Sequence, residues 1–320
     1  MHKLEPMPNA ADIEFKEKFI EHYSKLTDFE IFKKYCLSFL RRSIRVNTLK
    51  ITIPKLVKRI ETDWNLMQIP WCKQGFWVDH KGIGEEKRRD IGNLTEHALG
   101  YFYVQEAASM IPPVVLDPNP GEIVLDMCAS PGSKASQIAQ YMQNKGLIVA
   151  NDYKGIRLAP LGINLQRMGI TNCIITLMEG RRFKGHQFDK ILLDAPCSGT
   201  GTIRKSIKTL RMWNPLTIGK IAGQQKQLIN AAFENLRPGG TMVYSTCSLE
   251  PIEDENVVTH LLDTNSDARL EDFELPLKRG FVCDEFNGMS FHRDIQKCLK
   301  LWPQDNDTEG FFVAKIRKSI

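Results

Sequence analysis

The stretch Glu122-Ile-Val-Leu-Asp-Met-Cys-Ala-Ser-Pro-Gly-Ser-Lys134 decides the fold of this chain. Its first five residues form an apolar run of strand length that ends in an acid. A turn of small residues follows, and a helical pattern then covers residues 133–144. A strand, a tight turn and a helix start in this order direct backbone N–H groups toward a ligand, although an ordinary βα turn has the same pattern. The turn is not a P-loop, and it is a poor match to Gly-x-Gly-x-x-Gly.

Strand-like and helix-like segments continue to alternate after this stretch. The pattern predicts helices over residues 155–169 and 216–236, and strands over residues 146–152, 173–178, 188–194 and 241–245. Such repetition gives an α/β fold, in which helices cover both faces of a parallel sheet and ligands bind at the carboxyl ends of the strands. Near the C-terminus, residues 281–283 and 310–316 are predicted to add an antiparallel hairpin.

The first hundred residues have a different rhythm. A helical pattern covers residues 12–39, and short strands are predicted at 43–47 and 75–78 on either side of a helix at 54–61. We therefore predict a smaller N-terminal α+β module over residues 1–103 and a second domain over residues 104–320. No low-complexity linker separates them, which favours two parts that pack against each other.

Charge is unevenly distributed along the 320 residues, although the formal net charge is only +5. Residues 31–60 and residues 195–233 contain no acid. The basic residues of these two segments are Lys33, Lys34, Arg41, Arg42, Arg45, Lys50, Lys55, Lys58, Arg59, Arg204, Lys205, Lys208, Arg211, Lys220 and Lys226. Two such segments indicate a polyanionic partner such as nucleic acid, with a plain solvated surface as the equally weighted alternative.

The eight cysteines bear on location and on metal binding. The chain starts with no secretory apolar segment, so reduced thiols in the cytoplasm are expected. No two cysteines have Cys-x-x-Cys spacing and no histidines stand at ligand intervals, so no metal site is expected. No apolar run reaches the roughly 18 residues that cross a bilayer, which predicts no membrane span.

Acidic residues follow two of the predicted strands. Asp152 stands where a carboxylate can accept hydrogen bonds from both ribose hydroxyls of a nucleoside, and Glu179 stands one strand further on, toward the base. Each acid alone is more simply explained as a helix cap or a solvated loop residue. Together with Asp126 they place acids at three consecutive strand ends, and this arrangement favours a cofactor that contains a nucleoside.

Two cysteines, 50 positions apart, stand in similar contexts, because Asp194-Ala-Pro-Cys-Ser-Gly-Thr-Gly201 and Tyr244-Ser-Thr-Cys-Ser248 each follow or end a predicted strand. A single cysteine is more often a small buried hydrophobic residue. Two of them at strand ends indicate one active site with two thiols. Such a pair fits methylation at carbon 5 of cytosine. That reaction needs temporary attack by a thiolate at carbon 6, and a second group must then remove the carbon-5 proton.

These motifs resemble those of the RNA cytosine-5 methyltransferases of the NOL1/NOP2/Sun type. Cys128-Ala-Ser-Pro-Gly-Ser-Lys134 is similar to that family's S-adenosylmethionine loop, and the elements around Cys197 and Cys247 are similar to its Pro-Cys and Thr-Cys motifs. Residues 43–49 resemble its N-terminal RNA-binding segment. The resemblance implies a Rossmann-like S-adenosylmethionine-dependent methyltransferase sheet with an N-terminal RNA-binding module. Among archaeal members the chain looks most like enzymes that act on transfer RNA, with ribosomal RNA as the alternative substrate.

The resemblance also implies residue roles. Cys247 would attack carbon 6, Cys197 would assist proton removal and release, Asp194 would hold the N3 edge of cytosine, and Lys134 would steady Asp194. The cofactor would be held by Cys128, Ala129, Ser130, Pro131, Gly132, Ser133, Lys134, Asp152, Arg157, Glu179 and Asp194. Two positions depart from the family, since Ser133 replaces a frequent Gly and Glu179 replaces the usual Asp, which changes its reach. The enzyme would act as a monomer on RNA.

Trp213, in the second basic segment, either stacks on an exposed base or anchors the helix that follows it, and the second interpretation is favoured. Three other classes of protein fit less well. A DNA cytosine-5 methyltransferase uses the Pro-Cys cysteine as its nucleophile and has no Thr-Cys element. A methyltransferase acting on amino groups carries Asn-Pro-Pro-Tyr or Asp-Pro-Pro-Tyr in place of Asp-Ala-Pro-Cys. A non-catalytic RNA-binding scaffold would need neither thiol.

Overall fold

A computed structural model describes residues 4–84 and 88–320. Its N-terminal part contains α1 (Glu17–Ser24), α2 (Phe29–Cys36), β1 (Arg42–Val46), α3 (Ile53–Ile60), β2 (Trp64–Gln68), β3 (Gly75–His80), α4 (Thr95–Ala98) and β4 (Phe102–Val104). The strands form an antiparallel sheet in the order β2-β3-β1-β4. The single helix predicted over residues 12–39 is divided into α1 and α2. Asp28 begins the second helix, because its carboxylate accepts a 3.1 Å hydrogen bond from the backbone N–H of Ile31.

The second part of the chain alternates strands and helices. Its elements are α5 (Ile111–Leu116), β5 (Ile123–Asp126), α6 (Ser133–Tyr141), β6 (Leu147–Asp152), α7 (Gly155–Met168), β7 (Cys173–Leu177), β8 (Phe188–Asp194), α8 (Lys208–Met212), α9 (Pro215–Glu234), β9 (Leu236–Thr246), α10 (Glu255–Thr264), β10 (Ala268–Leu270), β11 (Glu285–Phe286), β12 (Met289–Ser290), β13 (Leu299–Leu301), α11 (Pro303–Asn306) and β14 (Phe311–Lys318). The main sheet has the order β10-β14-β9-β8-β5-β6-β7, with β13 paired to β14.

Strands β5 to β9 of this sheet run parallel, and β14 is antiparallel to β9. Apolar residues of α9 and α10, such as Phe233 and Val257, cover one face, and residues near α5 and α6, such as Met110 and Ile138, cover the other. The predicted α/β class is confirmed. Because the strand order reverses between β5 and β8, the loops after these two strands lead in opposite directions and leave a crevice between them.

The predicted C-terminal hairpin is wrong in one of its two segments. Residues 310–316 largely coincide with β14, but residues 281–283 form no strand, and β13 takes the place beside β14 with Leu299 opposite Val313. The apolar character of residues 282 and 283 has another cause. They are buried in a loop, where the backbone N–H of Cys283 donates a hydrogen bond to Glu255 of α10.

The helices α1 and α2 pack against the second part of the chain. Phe19 and Tyr23 share an aromatic cluster with Trp213 and Trp302, and the rings of Phe19 and Trp213 lie 5.2 Å apart between centroids. The division at residues 103 and 104 stays a prediction. Over residues 4–84 and 88–320, no helix is long and apolar enough to cross a membrane. The same residues include no group of three or more His, Cys, Asp or Glu side chains arranged to hold a metal ion.

Candidate active site

The two cysteines at the centre of the sequence argument come together at the carboxyl edge of the main sheet. Strands β8 and β9 are parallel neighbours, with Asp194 opposite Ser245, so Cys197 and Cys247 leave the sheet side by side. Their sulfur atoms lie 2.9 Å apart. The hydrogen bond with Cys247, together with burial, raises the pKa of Cys197 well above its ordinary value. The raised pKa makes Cys197 a poor nucleophile, because the thiolate is the attacking form of a cysteine.

A lysine–aspartate pair lies beside the thiols. Lys134 Nζ is 2.7 Å from Asp194 Oδ2, and the hydroxyl of Ser245 donates a 2.7 Å hydrogen bond to Asp194 Oδ1. Lys134 is buried, and burial by itself would lower its pKa. Attraction to Asp194 and the hydrogen bond with it, together with the nearby Cys247 and Asp126, outweigh this effect and raise the pKa. Lys134 and Asp194 thus form an ion pair, and the orientation of Asp194 is fixed because Lys134 and Ser245 each contact one of its oxygens.

The loop predicted to bind the cofactor, residues 128–134, connects β5 to α6. Gly132 has a φ of 100°, which favours glycine, and a Cβ there would lie 3.1 Å from the side chain of Leu161. Ser133 begins α6. The loop is held against α7, because Ser130 Oγ donates to the carbonyl oxygen of Arg157 and Arg157 Nη2 donates to that of Ser130, each at 2.8 Å.

Asp152 and Glu179 occupy the ends of the next two strands of the sheet. Asp152 is buried, and its carboxylate accepts a 3.1 Å hydrogen bond from the backbone N–H of Lys154 and lies 3.3 Å from Arg157 Nη1. Glu179 instead forms ion pairs with Arg181 and Arg182, and the hydrogen bond from Arg181 lowers its pKa. A cleft of about 200 Å³ between the two strand ends is lined by Cys128, Asn151, Tyr153, Glu179 and Leu228.

The sequence motifs did not identify two glutamates of this site. A cleft of about 390 Å³ is lined by Lys134, Asp194, Cys247, Glu106 and Glu309. Glu106 accepts a 3.2 Å hydrogen bond from the backbone N–H of Glu309. Burial and the nearby Glu106 raise the pKa of Glu309 to about 8. No local pattern identifies either residue, because 203 positions separate them and the tertiary fold alone brings them to the cleft that Cys247 also lines.

Asp126, at the end of β5, also lines this cleft. It is buried, and among the described residues neither of its carboxylate oxygens meets a donor in hydrogen-bonding geometry. Burial, and then the neighbouring Asp194, raise its pKa to about 7. A buried acid that lines a cleft and lacks a well-formed hydrogen bond is consistent with a site shaped for a polar ligand.

The basic segments are only partly on the surface. Arg45 is fully buried and hydrogen-bonded to Gln105, Gln140 and Ser136, so it cannot contact a phosphate of a bound polyanion. Arg204 is likewise buried and lies 2.8 Å from Asp307. Both arginines instead join segments that are distant in the sequence.

Other arginines of the N-terminal module do face solvent. Arg41, Arg42, Arg88 and Arg89 line one groove of about 360 Å³, and the guanidinium of Arg41 lies 3.9 Å from the ring centre of Trp77.

Trp213 has the packing role rather than the base-stacking role. It is buried in the aromatic cluster formed with α1, and its ring N–H donates a 2.9 Å hydrogen bond to Glu250. An indole held in this way has no free face for a nucleobase.

Comparison with known protein families shows to which family the chain belongs. Residues 113–317 match the family described as 16S rRNA methyltransferase RsmB/F, and residues 15–107 match the N-terminal domain of 16S rRNA methyltransferase RsmF. The chain belongs to the RsmB/F family. It is therefore a member of a family of RNA methyltransferases, as the motifs at the ends of β5, β8 and β9 predicted, and the predicted enzyme class is confirmed.

Relatives within the RsmB/F family include enzymes with different named substrates. The chain is 46% identical to the tRNA (cytosine(49)-C(5))-methyltransferase of Pyrococcus abyssi, over 95% of this chain and 98% of that protein. It is 43% identical to the ribosomal RNA small subunit methyltransferase F of Shewanella amazonensis, over 96% of this chain. The chain spans only 65% of the length of that second protein.

Solved structures of this group have the same fold. A methyltransferase homologue from Pyrococcus horikoshii superposes with a TM-score of 0.83 at 36% identity, covering 97% of this chain and 98% of that one. NSun6 from the same organism gives a TM-score of 0.81 at 25% identity, covering 96% and 99%. Over nearly its whole length, the chain therefore has the same fold as both of these solved structures.

Proposed function

We propose that this chain methylates carbon 5 of cytosine in RNA, with S-adenosylmethionine as the methyl donor. The observation that carries the proposal is the pair of thiols, 2.9 Å apart, next to the ion pair of Lys134 and Asp194. Methylation of an amine or a hydroxyl needs no thiol, whereas carbon 5 becomes nucleophilic only after a nucleophile has added to carbon 6.

In the proposed reaction, the thiolate of Cys247 forms a bond to carbon 6 while the double bond between carbons 5 and 6 opens. Asp194, held by Lys134 and Ser245, fixes the N3 edge of the ring as its charge changes. After carbon 5 has gained its methyl group, Cys197 takes the carbon-5 proton and gives its own proton to the departing sulfur of Cys247. The double bond then re-forms, and the pair loses one proton to solvent before the next turnover.

The residues proposed to hold the cofactor are those of the loop 128–134 with Asp152, Arg157, Glu179 and Asp194. The carboxylate of Asp126, which lacks a well-formed hydrogen bond among the described residues, and the N-terminus of α6 supply polar groups that fit such a molecule. When bound, S-adenosylmethionine supplies an electrophilic methyl group. Asp152 would accept hydrogen bonds from the ribose hydroxyls, and the cleft lined by Asn151 and Glu179 would receive the base.

We further propose transfer RNA as the substrate, acted on by a monomer in the cytoplasm. The relative from Pyrococcus abyssi supports this choice, because it aligns along nearly its whole length and is named for carbon 5 of cytosine 49 in tRNA. All eight cysteines are free, as expected of a protein in a reducing compartment. Ribosomal RNA is the second candidate, supported by the 43% identity to the small subunit methyltransferase F of Shewanella amazonensis.

The test is incubation of the purified enzyme with methyl-labelled S-adenosylmethionine and either transcribed tRNA or small-subunit rRNA, followed by bisulfite sequencing. Label in tRNA at a bisulfite-resistant cytosine is the expected result, with the Cys247→Ala variant as the inactive control. Label confined to rRNA would show that rRNA, the second candidate, is the substrate and that tRNA is not. Label at an amino group or a ribose, with no resistant cytosine, would overturn carbon-5 chemistry.

A further inference from the structure

A buried glutamate joins the loops that carry the two thiols. Glu253 is fully buried in the turn after β9, and its Oε1 accepts a 3.0 Å hydrogen bond from the backbone N–H of Ser198. Its Oε2 accepts hydrogen bonds from the hydroxyls of Ser198, at 2.5 Å, and of Ser248. Ser198 follows Cys197 and Ser248 follows Cys247, so one carboxylate contacts the residue next to each thiol.

Further bonds complete this connection. Gln225 of α9 donates a 2.9 Å hydrogen bond to the carbonyl oxygen of Pro196, which precedes Cys197, and its amide lies 3.4 Å from Glu253 Oε1. The hydroxyls of Ser198 and Ser248 are 3.3 Å apart. The backbone on both sides of Cys197 is thus attached to the segment that follows Cys247.

The neighbouring buried glutamates bond elsewhere. Glu250 contacts His22, Tyr23 and Trp213, and Glu255 contacts Lys300. Burying a carboxylate is costly unless hydrogen bonds compensate it, so a glutamate at position 253 requires donors. Ser198 and Ser248 of the two loops supply most of them, and Gln225 of α9 adds a longer contact. An apolar side chain at this position would leave the loops without a common acceptor.

We propose that Glu253 is the positioning residue that fixes the two thiols against each other, because it holds the residue after each of them. The inference rests on the proposed function in that it takes Cys197 and Cys247 as the reacting pair. Glu253 touches neither the base nor the sulfur atoms, and it acts through Ser198 and Ser248. Its loss should therefore change the distance between the thiols without changing how RNA binds to the rest of the protein.

The test measures thiol geometry directly, without RNA or S-adenosylmethionine. The purified protein is treated with diamide, which accepts two electrons and two protons from a pair of thiols, and the peptide linking Cys197 to Cys247 is quantified over time by mass spectrometry. The variants are Glu253→Ala, Glu253→Gln, Glu250→Gln as the control, and Ser198→Ala combined with Ser248→Ala. Circular dichroism establishes which variants fold.

The linking rate should fall on the order of tenfold or more in Glu253→Ala and in the double serine variant. Glu253→Gln should restore most of the rate, because the amide spans the same atoms, and Glu250→Gln should retain it. If Glu253→Ala does not fold, the double serine variant decides the question. A wild-type rate in every folded variant would overturn the proposal, and so would an equal decrease in Glu250→Gln, since that would indicate a general loss of packing.

Methyl transfer provides the second readout. Misplaced thiols should lower kcat on the order of 100-fold in Glu253→Ala while KM for the RNA is unchanged. Should the wild-type enzyme transfer no methyl group to cytosine, the proposed function fails, but the diamide rates still decide the positioning role.

Discussion

The backbone N–H of Gly201 donates a 2.9 Å hydrogen bond to the carbonyl oxygen of Cys247. Gly310, just before β14, donates in turn to the carbonyl oxygen of Gly201, also at 2.9 Å. Three segments from distant parts of the chain are thus in direct backbone contact beneath the thiols. There is no space between them for a side chain, because a Cβ on Gly201 would lie 2.2 Å from the carbonyl oxygen of Gly310.

We expect Gly201→Ala to destabilise the protein by about 1–3 kcal/mol, because the added methyl group forces the three backbones apart. Urea unfolding measures the effect. The control is Gly223→Ala in the exposed part of α9, where no atom lies within 4 Å of a new Cβ, and there alanine should stabilise by roughly 0.5–1 kcal/mol. Equal stability changes in the two variants would contradict the close approach.

The two thiols should respond differently to substitution. Cys247→Ala should form no covalent bond to RNA and transfer no methyl group, because the ring is never activated. Cys197→Ala should still attack and methylate but release slowly, so a protein–RNA adduct should survive denaturing gel electrophoresis. An adduct in Cys247→Ala and none in Cys197→Ala would reverse the assigned roles.

Removing the carboxylate of Asp152 should weaken S-adenosylmethionine binding by about 1–3 kcal/mol, the usual effect of losing a hydrogen bond to a charged group. Isothermal titration calorimetry measures the affinity. The exposed Asp272→Ala variant is the control and should bind like the wild type. Unchanged affinity in Asp152→Ala would remove this residue from the cofactor site.

The groove of Arg41, Arg42, Arg88 and Arg89 should contact RNA phosphates. We expect combined Arg41→Ala and Arg42→Ala to reduce the slope of log affinity against log salt by about two at most, as measured by fluorescence anisotropy. The control combines Lys145→Ala with Lys184→Ala, two exposed lysines that do not line this groove. Identical slopes for the wild type and the arginine variant would assign these arginines to a plain solvated surface.

Asp126 should make stability depend on pH. Its pKa in the folded protein is raised from the ordinary value of 3.8 to about 7, so the folded state binds this proton more tightly than the unfolded state. This contribution is fully present below the unfolded pKa and is lost as pH rises through the folded pKa. Asp126→Asn should therefore gain stability relative to the wild type between pH 5 and pH 8. The raised pKa would be contradicted if urea unfolding gave the same difference in stability between the variant and the wild type at pH 5 and at pH 8.

The local sequence predicts most of the main sheet, because its strands are short apolar runs that end in polar residues at one edge. Strand β2 was not predicted, since most of its residues are exposed and it lacks a continuous apolar run. Burial of Arg45 could not be predicted either, because its partners Gln105, Ser136 and Gln140 come from other parts of the chain. The motifs identify the cysteines, Asp194 and Lys134, whereas Glu106 and Glu309 reach the site only through the tertiary fold.

The packing of α1 and α2 on the aromatic cluster around Trp213 and Trp302 affects how this protein can be divided. A fragment that starts at residue 104 would lack Phe19, Tyr23 and Phe32, and it would leave the apolar surface beneath them open to water. The strands of the four-stranded sheet, by contrast, come after those helices and before the main sheet in the order of the sequence. Exchanging it between relatives therefore calls for two junctions, one after α2 and one after β4, so that a grafted sheet leaves the aromatic cluster whole.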